Sequence, residues 1–524
     1  MFLLLSGLGC GGTTESVPVA AEKVPDPIDD NYRVFYQIFV GSFSDSDGDG
    51  IGDLKGIINR MDYLNDGDIN SGKSLGVQGI WLSPVFKSPS YHKYDVTDYY
   101  TIDPAFGSED DLKELIDLCH ERNVKVIADL VLNHTSSDNS WFSKFKDAHK
   151  NGYTDSEFYD FYTWAYKDSI PGGRTFRQIP GCSDQYYECN FSSDMPELNF
   201  DNETVRKVVR NVAEYWLDRG VDGFRFDAVK YIYFGDTAKS VSFWKQYMDD
   251  LNSYKKDVYC VGECWSGESE TLEYISAVNC FNFQIAQAEG YAAVNTKRLG
   301  NVNSFTKYVE QYQKKVIAQN SEYGMPVSFI SNHDMDRTAG YMLASTHWAH
   351  MVANLYILSP GSPFIYYGEE IGMKGARGGA TTDANRRLAM LWGDEDTVKD
   401  PKGSTFASSK QTNGTVAEQE ANENSLLNYY KKVIALRVKY PEIGGGNYKA
   451  IASDKKTFSG FKITRGESTI WLFHNTEEDE FTIDLSKLSD TNGITKLLDH
   501  VGQGDASLEG TTLVIGPQTS VILK

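Results

Sequence analysis

The sequence predicts an α/β protein built on a (β/α)8 barrel, with one domain inserted into the barrel and an antiparallel β-domain after it. Three observations support this prediction. Short apolar runs alternate with amphipathic segments from about residue 33 to about residue 430, one connection is far longer than the others, and alternating apolar and polar residues begin after about residue 440. Strands that alternate with helices pair in parallel, whereas alternating strands with polar turns form antiparallel sheets.

Eight apolar runs are candidates for the barrel strands. In chain order they are VFYQIFV, VQGIWLSPVF, VKVIADLVLNH, VDGFRFDAV, VYCVGECW, CFNFQIA, PVSFISNHD and PFIYYGEE. Amphipathic segments such as DLKELIDLCHERN and NETVRKVVRNVAEYWLDRG lie between them. A doubly wound open sheet is the alternative, but no glycine-rich phosphate turn follows the first strand, and the barrel is therefore favoured.

These patterns divide the chain into four parts. The long connection is rich in Tyr, Phe, Asp, Ser and Gly, which indicates an irregular inserted domain. The predicted parts are a signal or lipoprotein segment with its tether (1–29), the barrel or domain A (30–133 and 202–435), the inserted domain B (134–201) and a C-terminal β-sandwich or domain C (436–524).

The N-terminal run MFLLLSGLGC is apolar and ends at Cys10. It resembles the end of a lipoprotein signal, in which the cysteine is lipidated. No Lys or Arg precedes the run, so the alternatives are a true start upstream of it or a clipped ordinary signal peptide. Either alternative predicts an extracytoplasmic protein, secreted or tethered to a membrane through Cys10. No later run approaches the roughly 18 apolar residues of a transmembrane helix.

Composition excludes several classes of partner. The chain carries 51 basic and 73 acidic residues, a net charge of −22, and nucleic acid would repel it. A neutral substrate or a bound cation fits the acidity better. The 32 Tyr and 9 Trp residues supply flat rings of the kind that stack on sugars. We expect a monomer with no nucleic-acid partner.

Seven cysteines show no spacing typical of a zinc site. Cys182 and Cys189 flank a short polar loop and could form a disulfide in an exported protein. Cys119 lies in an amphipathic helix and is expected to be a buried thiol. Spacing alone cannot pair Cys260, Cys264 and Cys280.

Polar side chains stand at the carboxyl ends of the predicted barrel strands, where barrels place their active sites. They are Asn133, His134, Arg225, Asp227, Glu263, His333 and Asp334. Glycoside cleavage needs a carboxylate nucleophile and a protonated carboxyl, about 5–5.5 Å apart in retaining enzymes. Three carboxylates over one barrel mouth therefore suit glycoside cleavage, and the neighbouring fourth and fifth strands could supply the separation of a retaining enzyme.

The surroundings of two carboxylates predict different roles for them. Arg225 lies two residues before Asp227 on one strand, so both side chains point to the same face. A guanidinium at that distance stabilises the carboxylate that a nucleophile requires. Glu263 follows an apolar strand and precedes Cys264 and Trp265, and a drier site raises its pKa towards that of a general acid.

Four motifs resemble the conserved regions of the α-amylase family of glycoside hydrolases: VIADLVLNH, GFRFDAVK, VGECW and FISNHDMDR. They occur in the order of the family, and the resemblance extends over about residues 30 to 520. It implies a (β/α)8 barrel, an inserted domain B, a C-terminal β-domain and retention at α-glucosidic bonds. It also implies that Asp227 is the nucleophile, Glu263 the acid/base and Asp334 the stabiliser of the transition state.

The same resemblance implies a set of substrate contacts. In HKYDVTDYY it places Tyr94 under the reacting sugar, with His92 beside it, and it places Lys230 on the leaving-group side. The full implied set of substrate-binding residues is Tyr94, His92, His134, Arg225, Lys230, His333 and Arg337.

A calcium site is predicted in the run DSDGDGIGD, which resembles the first nine positions of an EF-hand loop. Its candidate ligands are the side chains of Asp45, Asp47, Asp49 and Asp53 and the carbonyl of Ile51. Position twelve is Gly56 and not the usual Glu, so the loop is not a complete EF-hand. Several members of the α-amylase family hold a structural Ca²⁺ here.

The resemblance implies a second calcium site between domains A and B, for which Asn133 and Glu197 are the candidate ligands. Tyr231 stands where the family usually has a histidine, four residues after the nucleophile. This departure weakens the prediction of the second site.

The expected activity is hydrolysis of α-1,4-glucosidic bonds in starch and malto-oligosaccharides, with endo attack. An α-glucosidase or a transglycosylase of the same family is the alternative, because both use the same catalytic residues. A glucan-binding protein without activity is disfavoured, since all three carboxylates are present.

Overall fold

The structure is a computed structural model that describes residues 32–296, 300–341, 346–377, 383–406 and 413–524. The predicted signal segment, its tether and Cys10 lie outside these residues. Within the described residues, no helix combines the length and the apolar composition that crossing a membrane requires.

The part of the chain before residue 446 alternates strands and helices. Its strands are β1 (Phe35–Ile38), β2 (Gly79–Leu82), β3 (Phe86–Lys87), β4 (Asp98–Ile102), β5 (Lys125–Leu130), β6 (Trp164–Tyr166), β7 (Phe176–Gln178), β8 (Gln185–Glu188), β9 (Gly223–Phe226), β10 (Tyr259–Gly262), β11 (Val327–Ser328) and β12 (Ser362–Tyr366). Its helices are α1 (Leu54–Asn59), α2 (Met61–Leu64), α3 (Glu109–Glu121), α4 (Ser140–Asn151), α5 (Glu203–Asp218), α6 (Thr237–Tyr254), α7 (Glu268–Ile275), α8 (Tyr291–Thr296), α9 (Val302–Gln319), α10 (Thr338–Tyr341), α11 (Thr346–Ile357), α12 (Val416–Glu420), α13 (Leu426–Lys439) and α14 (Pro441–Gly445).

Seven of these strands form one parallel sheet in the order β10-β9-β5-β2-β1-β12-β11. Two parallel bridges, Gly262 with Cys280 and Phe281 with Val327, join its two edge strands. The sheet therefore curls into a barrel, and the predicted barrel fold is confirmed. The sixth predicted strand, CFNFQIA, is reduced to the two bridging residues, because the chain turns away after them.

The barrel interior is layered because alternate side chains of a strand point inward. One layer is apolar and contains Phe35, Ile127 and Val261. A polar layer lies nearer the carboxyl ends of the strands. It contains Gln37, Asp129 and Glu263, each two residues after its counterpart in the apolar layer. The apolar layer thus excludes water from the barrel interior beneath the polar residues.

The segment predicted as domain B contains α4 and the antiparallel sheet β6-β8-β7. Two antiparallel bridges, His134 with Glu197 and Tyr162 with Leu198, join residues within this segment. The N–H of Leu198 also donates to the carbonyl of Asn133, just after the third barrel strand. Domain B thus lies beside the carboxyl ends of the barrel strands.

The structure does not contain the disulfide considered between Cys182 and Cys189, and the cysteines of the described residues are free thiols. Cys182 lies in the turn between β7 and β8, whereas Cys189 follows β8 and its N–H donates to the carbonyl of Thr175. The four residues of β8 between them span about 13 Å at 3.3 Å per residue. A disulfide needs Cα atoms within about 7 Å of each other, so β8 holds the two cysteines too far apart to form one.

After α14 the chain forms two antiparallel sheets. Their strands are β13 (Asn447–Ile451), β14 (Phe458–Arg465), β15 (Ser468–Asn475), β16 (Phe481–Asp484), β17 (Leu497–Val501), β18 (Ala506–Glu509), β19 (Thr512–Ile515) and β20 (Thr519–Leu523). The sheet orders are β13-β14-β15-β20-β17 and β16-β19-β18. The helical part ends later than the predicted boundary at residue 435, since α13 continues to Lys439.

Gly223 allows β9 and β10 to approach each other, because a Cβ there would lie 1.7 Å from the carbonyl oxygen of Tyr259. Gly223→Ala is expected to destabilise the fold by about 3 kcal/mol or more, as overpacking of backbone cannot relax. Gly172→Ala is the control, since a Cβ there meets nothing within 4 Å. Calorimetric melting of both variants tests this, and equal melting temperatures would contradict it.

Candidate active site

A pocket of about 610 Å³ opens at the carboxyl ends of the barrel strands. Barrel loops and domain B both contribute to it. Its lining includes Tyr91, His92, Tyr94, His134, Phe191, Ser192, Met195, Asp227, Ala228, Glu263, Trp265, Asp334, Arg377, Asp383, Arg386 and Arg387. The three predicted catalytic carboxylates therefore line one cavity.

Asp227 follows β9 directly and forms an ion pair with Arg225, whose Nη1 lies 2.6 Å from its Oδ1. The same Nη1 donates to Oδ1 of Asp129 at 2.9 Å. Asp129 and Arg225 are register partners on β5 and β9, so the strand pairing itself places them together. Arg225 is fully buried, so its charge is compensated by these carboxylates and not by water.

Asp129 is a site residue that sequence reasoning did not single out. Trp81 Nε1 and the hydroxyl of Tyr94 both donate to its Oδ2, at 3.2 and 2.8 Å. Burial raises the pKa of Asp129 to about 7, and the nearby Asp227 adds to the shift. The available signal was an acidic residue inside the apolar strand VIADLVL, where an unpaired charge would be costly.

Glu263 follows β10 and faces the same guanidinium, with its Oε2 3.7 Å from Nη2 of Arg225. The same Oε2 accepts the backbone N–H of Ala228 at 2.9 Å. Ala228 adopts a left-handed conformation with φ of 48°, which presents this N–H to the carboxyl. Burial, together with the charge of Asp227, raises the pKa of Glu263 to about 8, while the guanidinium of Arg225 opposes this shift. Glu263 can therefore carry a proton at neutral pH.

Asp334 accepts hydrogen bonds on both oxygens. Arg387 Nη2 donates to Oδ1 at 2.8 Å, and His333 Nε2 lies 3.0 Å from Oδ2. Burial works against ionisation of Asp334, but His333 and the positive charge of Arg387 outweigh it and lower the pKa of this carboxyl below its ordinary value. Asp334 is thus an anion in the pocket.

A chain of hydrogen bonds orients Tyr94 and His333. Gln37 Nε2 lies 2.8 Å from Nδ1 of His333, and the other ring nitrogen lies 2.7 Å from the hydroxyl of Tyr94. The two rings are stacked with centroids 5.3 Å apart. His333 is buried below the pocket surface, so it orients Tyr94 and Asp334 from behind.

The remaining predicted contacts occupy different positions. His92 and His134 line the pocket, and burial lowers the pKa of each, that of His92 to about 4. Both rings are therefore neutral at pH 7. Lys230 lies beside the pocket and donates to the carbonyl oxygen of Trp265 at 2.7 Å.

Arg337 is not brought to the pocket, in contrast to the prediction from the fourth motif. Its Nη1 donates to the carbonyl of Tyr367 at 2.6 Å, and its guanidinium lies 4.4 Å from the ring centroid of Tyr366. Arg387 contacts Asp334 instead, and its Nε donates to the carbonyl of His333. Arg387 comes from a loop, where no strand pattern indicates which way a side chain points.

The predicted calcium loop brings three of its four acidic side chains together. Oxygens of Asp45, Asp47 and Asp49 lie within 4.8 Å of one another. Asp53 is directed elsewhere: its Oδ1 accepts the N–H of Gly56 at the start of α1, and its Oδ2 accepts the N–H of Ser46. Ile51 is exposed, and its N–H donates to Asp49.

A parallel barrel with a carboxyl of raised pKa and two further carboxylates in one pocket, above a buried arginine, has the arrangement of a glycoside hydrolase. Residues 37–446 match the family model described as alpha amylase, catalytic domain. The chain belongs to the α-amylase family.

Three similar proteins illustrate the family. Alpha-amylase 3 of Dictyoglomus thermophilum is 34% identical over 94% of this chain and 93% of its own length. A 4-alpha-glucanotransferase of Thermotoga maritima is 30% identical over 86% of this chain and 98% of its own. The solved structure of Eubacterium rectale Amy13B superposes with a TM-score of 0.86 at 33% identity, covering 96% and 97% of the two chains.

Arg387→Ala is expected to lower kcat/KM about 10- to 100-fold, since a hydrogen bond to a charged group contributes about 1.5–3 kcal/mol. It also removes the positive charge that lowers the pKa of Asp334. Activity that needs the Asp334 anion is lost as pH falls through this pKa, so the acidic limb of the pH profile moves to higher pH. Arg387→Lys keeps a charge and is the control. An unmoved acidic limb in the alanine variant contradicts the role.

Proposed function

We propose that the protein hydrolyses α-1,4-glucosidic bonds in starch and malto-oligosaccharides with retention of configuration. One observation carries the proposal: Asp227, paired with Arg225, and Glu263, with its pKa raised to about 8, line the same pocket. A carboxylate beside a protonated carboxyl is the pair that retaining glycosidases use.

In the first step, Oδ of Asp227 attacks the anomeric carbon of the bound sugar. Glu263 gives its proton to the glycosidic oxygen, so the C–O bond breaks and the leaving sugar departs as an alcohol. The product on the enzyme is a glycosyl ester of Asp227. Glu263 is then an anion, which the nearby guanidinium of Arg225 stabilises.

In the second step, the Glu263 carboxylate removes a proton from water while the water oxygen attacks the anomeric carbon. The bond to Asp227 breaks and the carboxylate is restored. Two inversions return the α configuration. Positive charge develops on the sugar ring in both transition states, and the Asp334 anion stabilises it across the pocket.

Endo attack on polymer is the preferred mode, and the resemblance to Alpha-amylase 3 of Dictyoglomus thermophilum supports an α-amylase. Transglycosylation is the second candidate, and a specific observation favours it. Phe191 and Trp265 line the pocket, yet they are 46% and 42% exposed. Flat apolar rings at that position can bind a second sugar that competes with water for the glycosyl ester.

A calcium ion at Asp45, Asp47 and Asp49 is also part of the proposal. Ligands of one Ca²⁺ can be about 5 Å apart, because each Ca–O distance is about 2.3–2.6 Å, and the three carboxylates satisfy this limit. Each accepts an N–H from two residues further on, which curls the loop around the carboxylates. Bound there, Ca²⁺ would stabilise the loop before α1 and take no part in the reaction.

We also propose that the protein is extracytoplasmic and acts as a monomer. The support is the apolar run that ends at Cys10 and the acidic net charge of −22. A substrate as large as starch is met outside the cell.

The function is tested by following soluble starch and maltoheptaose by NMR, which reports both product size and anomeric configuration. We expect a rapid fall in polymer size with α-configured products. Asp227→Asn should lower the rate by more than about a thousandfold, whereas Asp249→Asn, at an exposed position of α6, should not change it. Rearranged glucans with no increase in the number of reducing ends would favour the transglycosylase, and a fully active Asp227→Asn variant would overturn the mechanism.

Calcium removal is expected to lower the melting temperature, because an ion that binds only the folded state stabilises it by about 2.7 kcal/mol at a hundred times its dissociation constant. Asp47→Asn/Asp49→Asn should melt at the temperature of the chelated protein and should not respond to added Ca²⁺. Mg²⁺ is the control ion, since it is smaller and prefers octahedral sites. Equal melting with and without chelator contradicts the calcium proposal.

A further inference from the structure

Two acidic side chains are buried where domain B meets the barrel. Glu188 at the end of β8 is 2% exposed and Glu197 is 3% exposed. Glu197 is bridged to His134, and the N–H of Leu198 donates to the carbonyl of Asn133 at 2.9 Å. This junction is where the family resemblance implies the second calcium ion. Carboxylates removed from water need a positive partner.

The positive partner present in the structure is Arg174 of domain B. Its Nε lies 3.3 Å from Oε1 of Glu188. Its Nη2 donates to the carbonyl oxygen of Phe234 at 2.7 Å, in the barrel loop that follows the nucleophile strand. One guanidinium therefore contacts a carboxylate of domain B and a carbonyl of the barrel, as a bridging cation would.

Asn190 completes the polar contacts of the two carboxylates. Its backbone N–H donates to Oε1 of Glu197 at 2.9 Å, and its side-chain amide donates to Oε1 of Glu188 at 2.8 Å. Its own side-chain oxygen accepts the N–H of Thr175, the neighbour of Arg174. The arginine and both acidic residues are thus held in one hydrogen-bonded unit.

The other residues expected at a metal site are poorly arranged for one. The amide nitrogen of Asn133 lies 3.4 Å from Nδ1 of His134. Tyr231, which replaces the family's histidine, stacks on Phe234 with centroids 4.7 Å apart and nearly parallel planes. Phe234 of this stack also accepts the hydrogen bond from Arg174, so the residue that replaces the histidine packs against the arginine's own barrel contact.

We propose that Arg174 takes the place of the second calcium ion, so that a side chain and not a metal joins domain B to the barrel. Arg174 is then a positioning residue. Through Glu188 and the following loop it places Phe191 over the pocket, where the ring lies 4.6 Å from Tyr231 and 5.1 Å from His134. Domain B keeps this position whether calcium is present or not.

The first test counts calcium ions by elemental analysis after dialysis against calcium buffer. The wild-type protein is compared with Asp47→Asn/Asp49→Asn, which disables the loop between residues 45 and 53. We expect the double variant to retain no calcium. One calcium per chain remaining in that variant overturns the proposal. A wild-type protein without calcium would refute the calcium site of the loop and leave the proposal for Arg174 intact. The experiment therefore distinguishes failure of the one proposal from failure of the other.

The second test replaces Arg174 in the double variant, with Arg174→Lys as the matched control that keeps a charge. Arg174→Gln should lower the melting temperature by several degrees, and added Ca²⁺ should restore part of the loss, because Glu188 and Glu197 are then free to bind it. The melting temperature of Arg174→Lys should lie closer to that of the parent and should not change when Ca²⁺ is added. A Gln variant that melts like its parent overturns the proposal.

A kinetic measurement separates positioning from general stability. With maltoheptaose, at temperatures below the melting range, Arg174→Gln should raise KM several-fold and change kcat less, since Phe191 lines the pocket and is expected to contact the bound chain rather than the reacting bond. An unchanged KM overturns the positioning role. This measurement rests on the proposed function; the calcium count and the melting temperatures do not, so an inactive protein would leave them interpretable.

Discussion

The buried guanidinium of Arg225 is the interaction on which the rest of the site depends. It contacts Asp129 and Asp227 directly and stands 3.7 Å from Glu263. Three carboxyl groups around one positive charge cannot all be ionised cheaply in a dry interior. Burial therefore raises the pKa of Asp129 and of Glu263, whereas Asp227 forms an ion pair of 2.6 Å with Arg225. One cation thus gives the carboxyl groups around it different electrostatic environments.

The barrel makes this arrangement rigid. Parallel pairing places Asp129 opposite Arg225, and the pleat directs both into the barrel above an apolar layer. Asp334 approaches from the other side of the mouth, where His333 and Arg387 hold it as an anion. Preorganised charges of this kind need little rearrangement during reaction, which is how electrostatic stabilisation lowers a barrier. Domain B and the loop after β12 then close the pocket above this framework.

Much of this site could be predicted from the sequence because its residues follow strands. A strand that ends in a polar residue indicates both position and direction, and this was sufficient for Asp227 and Glu263. Loops carry no such period, so the sequence does not indicate Arg387, and it predicts Arg337 in the pocket although Arg337 packs against Tyr366. The sequence does not indicate a role for Asp129, because this residue lies inside an apolar motif and its partner, Arg225, is distant in sequence.

The sequence by itself determined the barrel, the inserted segment, the C-terminal sheets and the three carboxylates at the barrel mouth, because hydrophobic periodicity and strand-end chemistry are local properties. Only the tertiary structure decided which partners each charged side chain contacts. It directed Asp53 to the start of α1 and away from the other acidic side chains of its loop, and it placed Arg174 against Glu188 at the domain junction. Such pairings depend on which segments meet in space, and neighbouring residues along the chain do not reveal them.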